Sequence, residues 1–443
     1  MKAIAARTAA LLMALAAAVA VFVVFAWFRL GFWPLALLAL LAFFASGFML
    51  INLADRWSSN ADRGAVPGPR REDSRASVWR WLLGGTVAYV VVAQLAVGRP
   101  PQRTLLAPEP APGTKYWTLG NGSRIAYLMS AAKGRTPKHE SPVIHLHDGP
   151  GMPALPVINT LGVRPLDFLT EEGYDVYYYD QLGAGLSERL DLRNEQPYTV
   201  ARHVEDLENI RRVLGARTLI LAGSGWGATL AVNYLLAHAD NVERLILESP
   251  GPLWYPAWRD LVEPTARARM TDVQASALAA LERPPLRLVI GRMMADFSPR
   301  SAHTLVADWE GDQWWTKTTA QALSLGQPRM TCLSDPTTGL APLSGLGFFA
   351  NTYTLADALR LPDPRAALRK IRKPALVLRG TCDYIDWKVS YEYLDVLPGS
   401  RYVAVPAAGH QIWMEQPSLR TTIIRAYLRG ESVPLEMYTP PRE

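Results

Sequence analysis

The chain has 443 residues, a formal net charge of +6 and a pI of about 9.2. That length holds one large catalytic domain plus a smaller region. Five arginines gather in one loop near the N-terminus, where topology and contact with anionic lipid account for them, so nucleic-acid binding is set aside.

Residues 1 to about 100 form three apolar blocks rich in Ala, Leu, Val, Phe and Trp, at about 8–28, 34–53 and 78–97. Each approaches the roughly 20 residues a helix needs to cross the hydrocarbon core of a bilayer. A cleaved signal peptide is the alternative for the first block, since Lys2 and Arg7 precede it, but a second block follows after only "RLGFWP". Lys2 and Arg7 lie before the first block and Arg56, Arg63, Arg70, Arg71 and Arg75 between the second and third, against Arg29 alone between the first two. This asymmetry predicts three transmembrane helices in the plasma (inner) membrane. The N-terminus and basic loop are then cytoplasmic, and everything after about Gly98 is extracytoplasmic. Residues 99–114, opening "RPPQRTLLAPEPAPG", read as a proline-rich spacer.

Beyond the spacer, short β-rich runs alternate with helical stretches. "YWTL" and "RIAYLMS" form a hairpin across "GNGS"; then come "PVIHLH" (142–147), "YDVYYYD" (174–180), "TLILAG" (218–223), "RLILES" (244–249), "ALVLRG" (375–380) and "RYVAVP" (401–406). Several are continuous apolar runs, as strands buried on both faces of a parallel sheet require, and "TVARHVEDLENIRRVLG" (199–215) is a helix between two of them. The expected fold is α/β, a mostly parallel, doubly wound sheet. Its core spans 115–252 and 366–443, and a helical, Trp-rich cap is inserted at 253–365. In such sheets the site lies at the carboxyl ends of the strands.

Three strand ends carry chemistry. After "PVIHLH" the loop "HDGPG" (147–151) can aim backbone N–H groups at one point, as an oxyanion hole requires, although taken alone it reads first as a tight turn. "LILAGSGWGATLA" (219–231) has the outline of the G-x-Ser-x-G elbow that mounts a nucleophile, but its tip is Gly225. "TCDYID" then places Asp383 after one strand, and "AAGHQIW" places His410 after the next. Elbow, acid, histidine is the chain order of the α/β-hydrolase triad.

The motifs together resemble the proline iminopeptidase group of α/β hydrolases. "HDGPG" is similar to its HGGPG loop, "YYDQLGAGLS" (178–187) to its DQRGxGxS segment and "GSGWGATLA" to its GGSWGSTLA elbow, over roughly residues 115–430. The resemblance implies hydrolysis of an N-terminal aminoacyl amide, or of a related small amide or ester, by serine, Asp383 and His410. It implies an oxyanion hole at Asp148, Gly149 and Trp226. Glu310, with Trp309 beside it in "DWEG", is the candidate for the substrate's free amine, and an exposed helix acid is the alternative. Neither metal nor cofactor is expected; the partners are a small peptide, amide or ester substrate and the membrane, not nucleic acid, and the sequence leaves protein partners open.

Three departures stand out: Asp148 for the first glycine of HGGPG, Leu182 for the arginine of DQRG, and Gly225 for the nucleophile. Ser224 is the substitute to weigh. Gly223 and Gly227 flank residue 225 as the elbow requires, whereas centring on Ser224 brings Ala222 and Trp226 to those positions, so the tip belongs to Gly225. Losing a serine nucleophile typically costs about 10⁶ in kcat. Three readings follow: a hydrolase using Ser224, or water activated by His410 and Asp383, or a serine-to-glycine variant of an active enzyme; a pseudoenzyme that binds a peptide or small molecule; or a structural partner of another membrane protein. Reaction with a fluorophosphonate probe before and after Gly225→Ser separates these readings. Cys332 in the cap and Cys382 beside Asp383 are expected either as a disulfide or as free thiols.

Overall fold

A computed structural model of the chain describes residues 2–26, 32–61, 79–81, 83–87, 100–104, 107–133, 138–193, 197–258, 272–281, 283–324, 331–332 and 344–437. It divides into two compact units: residues 1–102, 191–195 and 284–307, and residues 103–190, 196–283 and 308–443. The helical stretch 284–307, read from the sequence as part of the cap, thus groups with the N-terminal unit.

In the first unit the helices Lys2–Ala26 and Phe32–Ala61 pack together. Ala10, Ala14 and Ala18 recur every fourth residue and are buried, with Ala39 and Phe43 in the same seam as Ala14 and Ala18. Small side chains on one stripe let two backbones approach closely, which suits helices with no water to exclude between them. Among the described residues, one helical segment is long and apolar enough to cross a membrane by length and composition, Ala36–Ala54 with mean hydropathy 2.2; Ala5–Val21 is apolar but shorter. Most of the third expected span, and Arg63, Arg70, Arg71 and Arg75 of the basic loop, lie outside the described residues.

The second unit is built on a nine-stranded sheet of order β1-β2-β4-β3-β5-β6-β7-β8-β9. Its strands are β1 (Lys115–Thr118), β2 (Arg124–Ser130), β3 (Val143–Leu146), β4 (Val176–Tyr179), β5 (Leu219–Ser224), β6 (Val242–Glu248), β7 (Ala375–Gly380), β8 (Ser400–Val405) and β9 (Glu436–Met437). From β4 through β8 every neighbour pair is parallel; β1 and β2 form the antiparallel hairpin, β2 pairs antiparallel with β4, and β9 closes the far edge antiparallel to β8. The continuous apolar runs are the central strands: all of β4, and β5 from Leu219 to Gly223, are buried. Burying each Leu, Ile or Val side chain contributes about 1.5–3 kcal/mol.

Helices cover the sheet where the sequence carries their start signals. Val200–Val213 begins at Thr199, whose hydroxyl accepts from Arg202 N–H at 3.1 Å, and its buried face includes Val204, Leu207 and Ile210. Trp226–Ala237 is apolar all round because it is almost wholly buried, directly behind β5. The parallel arrangement brings the carboxyl ends of β3, β4, β5, β6, β7 and β8 to one side of the sheet, and the loops that leave them build the site.

Candidate active site

The elbow between β5 and the Trp226–Ala237 helix is formed, with Gly225 at its tip at φ +53° and ψ −118°. Such a backbone strains any L-residue with a side chain. It is held from outside: Gly225 N–H donates to the Glu248 carbonyl, and the Gly225 carbonyl accepts from the N–H of Ala228 and of Gly251. Neither flank has room for a side chain, since a Cβ on Gly223 would meet the Gly227 carbonyl at 2.5 Å and one on Gly227 would meet the Leu146 carbonyl oxygen at 2.0 Å. The close approach of β3, β5 and the helix sets residue 225, and not 224, at the point of the turn. Among the described residues the Ser224 hydroxyl makes no hydrogen bond to His410.

His410, in the loop after β8, is held at both ring nitrogens. Nδ1 lies 3.0 Å from Asp383 Oδ1 and Nε2 lies 3.1 Å from Asp148 Oδ2, with no exposed surface on the ring. Asp383 is fixed in turn by Ile385 N–H, which donates to the same Oδ1 at 3.1 Å.

Asp148 is where the expectation needs correction. The sequence places it in the expected oxyanion hole beside Gly149 and Trp226; in the structure its carboxylate points inward and occupies the donors of that expected hole. Oδ1 accepts from Gly149 N–H at 2.7 Å and from Trp226 N–H at 2.9 Å, the two backbone donors of the expected hole, while Oδ2 faces His410. The space it uses is the space a side chain at 225 would need: a Cβ there would stand 2.0 Å from Asp148 Oδ1 and 2.3 Å from its Cγ. The two departures from the family pattern are therefore one structural event. A Gly225→Ser change alone does not rebuild a serine site, because the serine and the carboxylate compete for the same volume.

The electrostatics follow from this seating. Burial pulls the His410 pKa down, but the charge of Asp383 and the hydrogen bonds to Asp148 and Asp383 override it and push it up to about 10. Burial pushes Asp148 up, yet His410 and the two N–H donors leave it below its ordinary value; Asp383 is likewise lowered by His410 against its own burial. At neutral pH the centre is an imidazolium between two carboxylates. His147 behaves oppositely: burial lowers its pKa, so it is a neutral ring, accepting from Gln181 N–H at Nε2.

Around these groups is a scaffold of side-chain ties. Gln181 donates to the His147 carbonyl and accepts from the Trp226 indole N–H at 2.9 Å, which fixes the residue that supplies one N–H to Asp148. Gly347 N–H donates to the Gly151 carbonyl, and Asn351 Nδ2 to the Pro150 carbonyl, so the 344–351 segment braces the Asp148 loop. Leu182, in place of the expected arginine, is buried. Cys332 and Cys382 are bonded to each other. Beside them the Glu415 carboxylate accepts from Cys332 N–H through one oxygen and from Gly409 N–H through the other, next to His410.

Glu310 is buried in the first turn of the helix Asp308–Ser324, with Trp309 beside it half-buried. Asp312 on the same helix accepts from Phe348 N–H and pairs with Arg189; burial pushes its pKa up to about 7. Sequence reasoning missed the part played by Asp148, and with it Gln181 and Glu415. The available signal was that Asp148 and Gly225, both departures, lie at the ends of the adjacent strands β3 and β5. Among the described residues no group of His, Cys, Asp and Glu has an arrangement suited to a metal ion.

A family model described as alpha/beta hydrolase fold matches residues 142–417. Among characterised proteins, the proline iminopeptidase of Lactobacillus delbrueckii subsp. bulgaricus is 27% identical over 307 residues, covering 68% of this chain and 92% of its own. That of Clostridium botulinum is 24% identical over 302 residues, covering 67% and 92%. The crystal structure of proline iminopeptidase from Mycobacterium smegmatis aligns with 72% of this chain and 98% of its own at 20% identity and a TM-score of 0.46.

Proposed function

This chain belongs to the α/β hydrolase fold family, and we propose that it is a membrane-anchored hydrolase of small substrates in which His410 and Asp383 form the proton-transfer pair. The observation that carries this reading is the buried His410, bonded to Asp383 on one side and to a carboxylate over both oxyanion donors on the other. A domain retained only as scaffold has no need to bury two carboxylates around a charged imidazole, since burying such groups is costly unless they are paired.

Proline iminopeptidase relatives make N-terminal aminoacyl amides, and related small amides and esters, the first substrate class to test. Glu310 and Trp309 are the proposed contacts for the substrate's amine, and the N-terminal helices the proposed anchor. The proposed topology has three spans in the inner membrane, a cytoplasmic N-terminus and the hydrolase domain outside. An acyl substrate gains the oxyanion donors only by displacing Asp148 Oδ1.

Release of aromatic amine from aminoacyl-arylamides, or of phenol from aryl esters, should be measurable with the native chain and lost on His410→Ala. Turnover that survives His410→Ala removes this reading. A second reading is favoured by the filled oxyanion hole and the missing hydroxyl at 225: a pseudoenzyme that binds a peptide or small molecule at the cell surface. It predicts saturable binding with no turnover of any hydrolysable probe.

A further inference from the structure

The stretch between Arg283 and Asp308 is a pair of helices, Leu286–Ala295 and Pro299–Leu305, that belongs to the compact unit of the N-terminal helices. One face of the first helix is small, apolar and buried: Leu288, Gly291, Met294 and Ala295. A Cβ on Gly291 would stand 2.6 Å from Val306 Cγ2, so the glycine lets this face close on the segment that follows it. The same helix carries a second apolar stripe. Leu286, Val289, Ile290 and Met293 recur at i, i+3, i+4 and i+7, the spacing of a face that packs on something. Yet Leu286 is 55% and Met293 62% exposed, Val289 and Ile290 are half-buried, and Phe297 just beyond keeps 47%. Single exposed apolar side chains are ordinary, whereas a stripe of them along a whole helix marks an interaction surface.

Charge and neighbours identify what covers it. Residues 283–307 contain four arginines against one acid, Asp296. Arg287 is drawn inward and donates to the Leu305 carbonyl, while Arg283, Arg292 and Arg300 remain exposed. Apolar side chains flanked by guanidinium groups suit a helix lying in a lipid interface, with the aliphatic groups at the acyl boundary and the cations at the phosphates. The element beside it is itself a candidate for the bilayer. Helix Pro299–Leu305 touches helix Phe32–Ala61, whose segment Ala36–Ala54 is long and apolar enough to cross a membrane and exposes Leu37 and Leu41, each at 57%.

We propose that the helix pair 284–307 is an interfacial membrane element. Leu286, Met293 and Phe297 enter the acyl boundary of the leaflet, and Arg283, Arg292 and Arg300 meet its anionic phosphate headgroups. This rests on the membrane-anchored reading above and adds a second foothold to it. The chain leaves the hydrolase unit at Arg283 and returns to it at Asp308, so docking holds the inserted segment, and not the N-terminal helices alone, at the bilayer. The side of the membrane it meets is then the side on which the hydrolase unit lies. The stripe that would be a liability on a free domain is, in this seat, the part that the acyl chains cover.

Both native cysteines are bonded to each other, so Met293→Cys offers a single thiol for a nitroxide label. Full-length protein is reconstituted into vesicles of phosphatidylethanolamine and phosphatidylglycerol, and paramagnetic resonance compares collisions with oxygen, which concentrates in lipid, and with a water-soluble nickel chelate. The label at 293 should collide more with oxygen than with nickel, and Phe297→Cys should report the same. Val213→Cys, on an exposed position of helix Val200–Val213, should show the reverse order. Leu41→Cys reads the anchor itself. Lipid at 41 with water at both 293 and 297 overturns the docking and keeps the anchor, whereas water at all three overturns both. Labels at 293 shielded from both reagents and broadened by the label of another copy overturn the lipid assignment in favour of a dimer. In vesicles of phosphatidylcholine alone, nickel collisions at 293 should rise, and an unchanged value overturns the contact between the arginines and anionic headgroups.

Discussion

Replacing Gly225 by serine should damage this protein rather than restore a serine hydrolase. The new Cβ would lie 2.0 Å from Asp148 Oδ1, so the carboxylate must leave its seat and give up the bonds from Gly149, Trp226 and His410. Hydrogen bonds to charged groups contribute about 1.5–3 kcal/mol each. Holding a residue with a Cβ at φ +53° adds about 1–2 kcal/mol. The single variant should therefore lose on the order of 5–6 kcal/mol or more, a large part of the roughly 5–15 kcal/mol typical of a folded domain. Adding Asp148→Gly removes the collision and frees both N–H donors, leaving only the backbone cost of about 1–2 kcal/mol. Denaturant unfolding followed by circular dichroism on detergent-extracted protein measures the stabilities, and a fluorophosphonate probe measures the serine. Weak labelling of Gly225→Ser with strong labelling of the double variant is the expected pattern. A single variant as stable as the parent, labelled as strongly as the double, would refute the claim that the two residues share one volume.

Other consequences are open to direct measurement. Because His410 is raised to about 10 from an unfolded value near 6.5, its contribution to stability is fully present below about pH 6.5 and is lost as pH rises towards 10; Asp148 and Asp383, both lowered, contribute above about pH 4 and lose that contribution in acid. Tm should fall on the alkaline limb and Asp148→Asn should flatten that fall; identical limbs in the two proteins contradict the ion triad. Reducing the bond between Cys332 and Cys382, which are 50 residues apart, should cost about 4 kcal/mol by loop entropy, read as a lower denaturation midpoint in dithiothreitol than in its absence. Arg420→Ala should cost about 3–5 kcal/mol, since it strips the partner from the buried Glu248 to which Arg420 donates through Nε and Nη2; a midpoint shift under 1 kcal/mol would show that Glu248 finds another partner.

The legible part of this architecture was the part set by periodicity and by crowding. β5 from Leu219 to Gly223 and β7 from Ala375 to Leu378 are apolar without a break because neighbours cover both faces, and a run of that kind needs no tertiary knowledge to recognise. Gly223 and Gly227 are glycine for want of any room for a Cβ, which is why their spacing identified the tip between them. β9, two residues at an edge, carries no periodic signal at all. The direction of the Asp148 side chain was equally out of reach: it depends on a loop turned by Gly149 at φ +146° and on which donors stand across from it, Trp226 being 78 residues away in the chain. Only the fold shows that the missing side chain at 225 made the space for that carboxylate.

That shared volume also constrains history. Starting from a serine elbow and a glycine loop, an aspartate at 148 that arrives first meets an occupied site, whereas serine giving way to glycine first leaves a hollow that an aspartate can later enter. The permissive order passes through a form with neither a side chain at 225 nor a carboxylate at 148. The return is blocked at its first step from one side and leads through the same empty intermediate from the other. With glycine at 225 and aspartate at 148 the pair acts as a ratchet: no single substitution at either position yields an unobstructed serine at the tip.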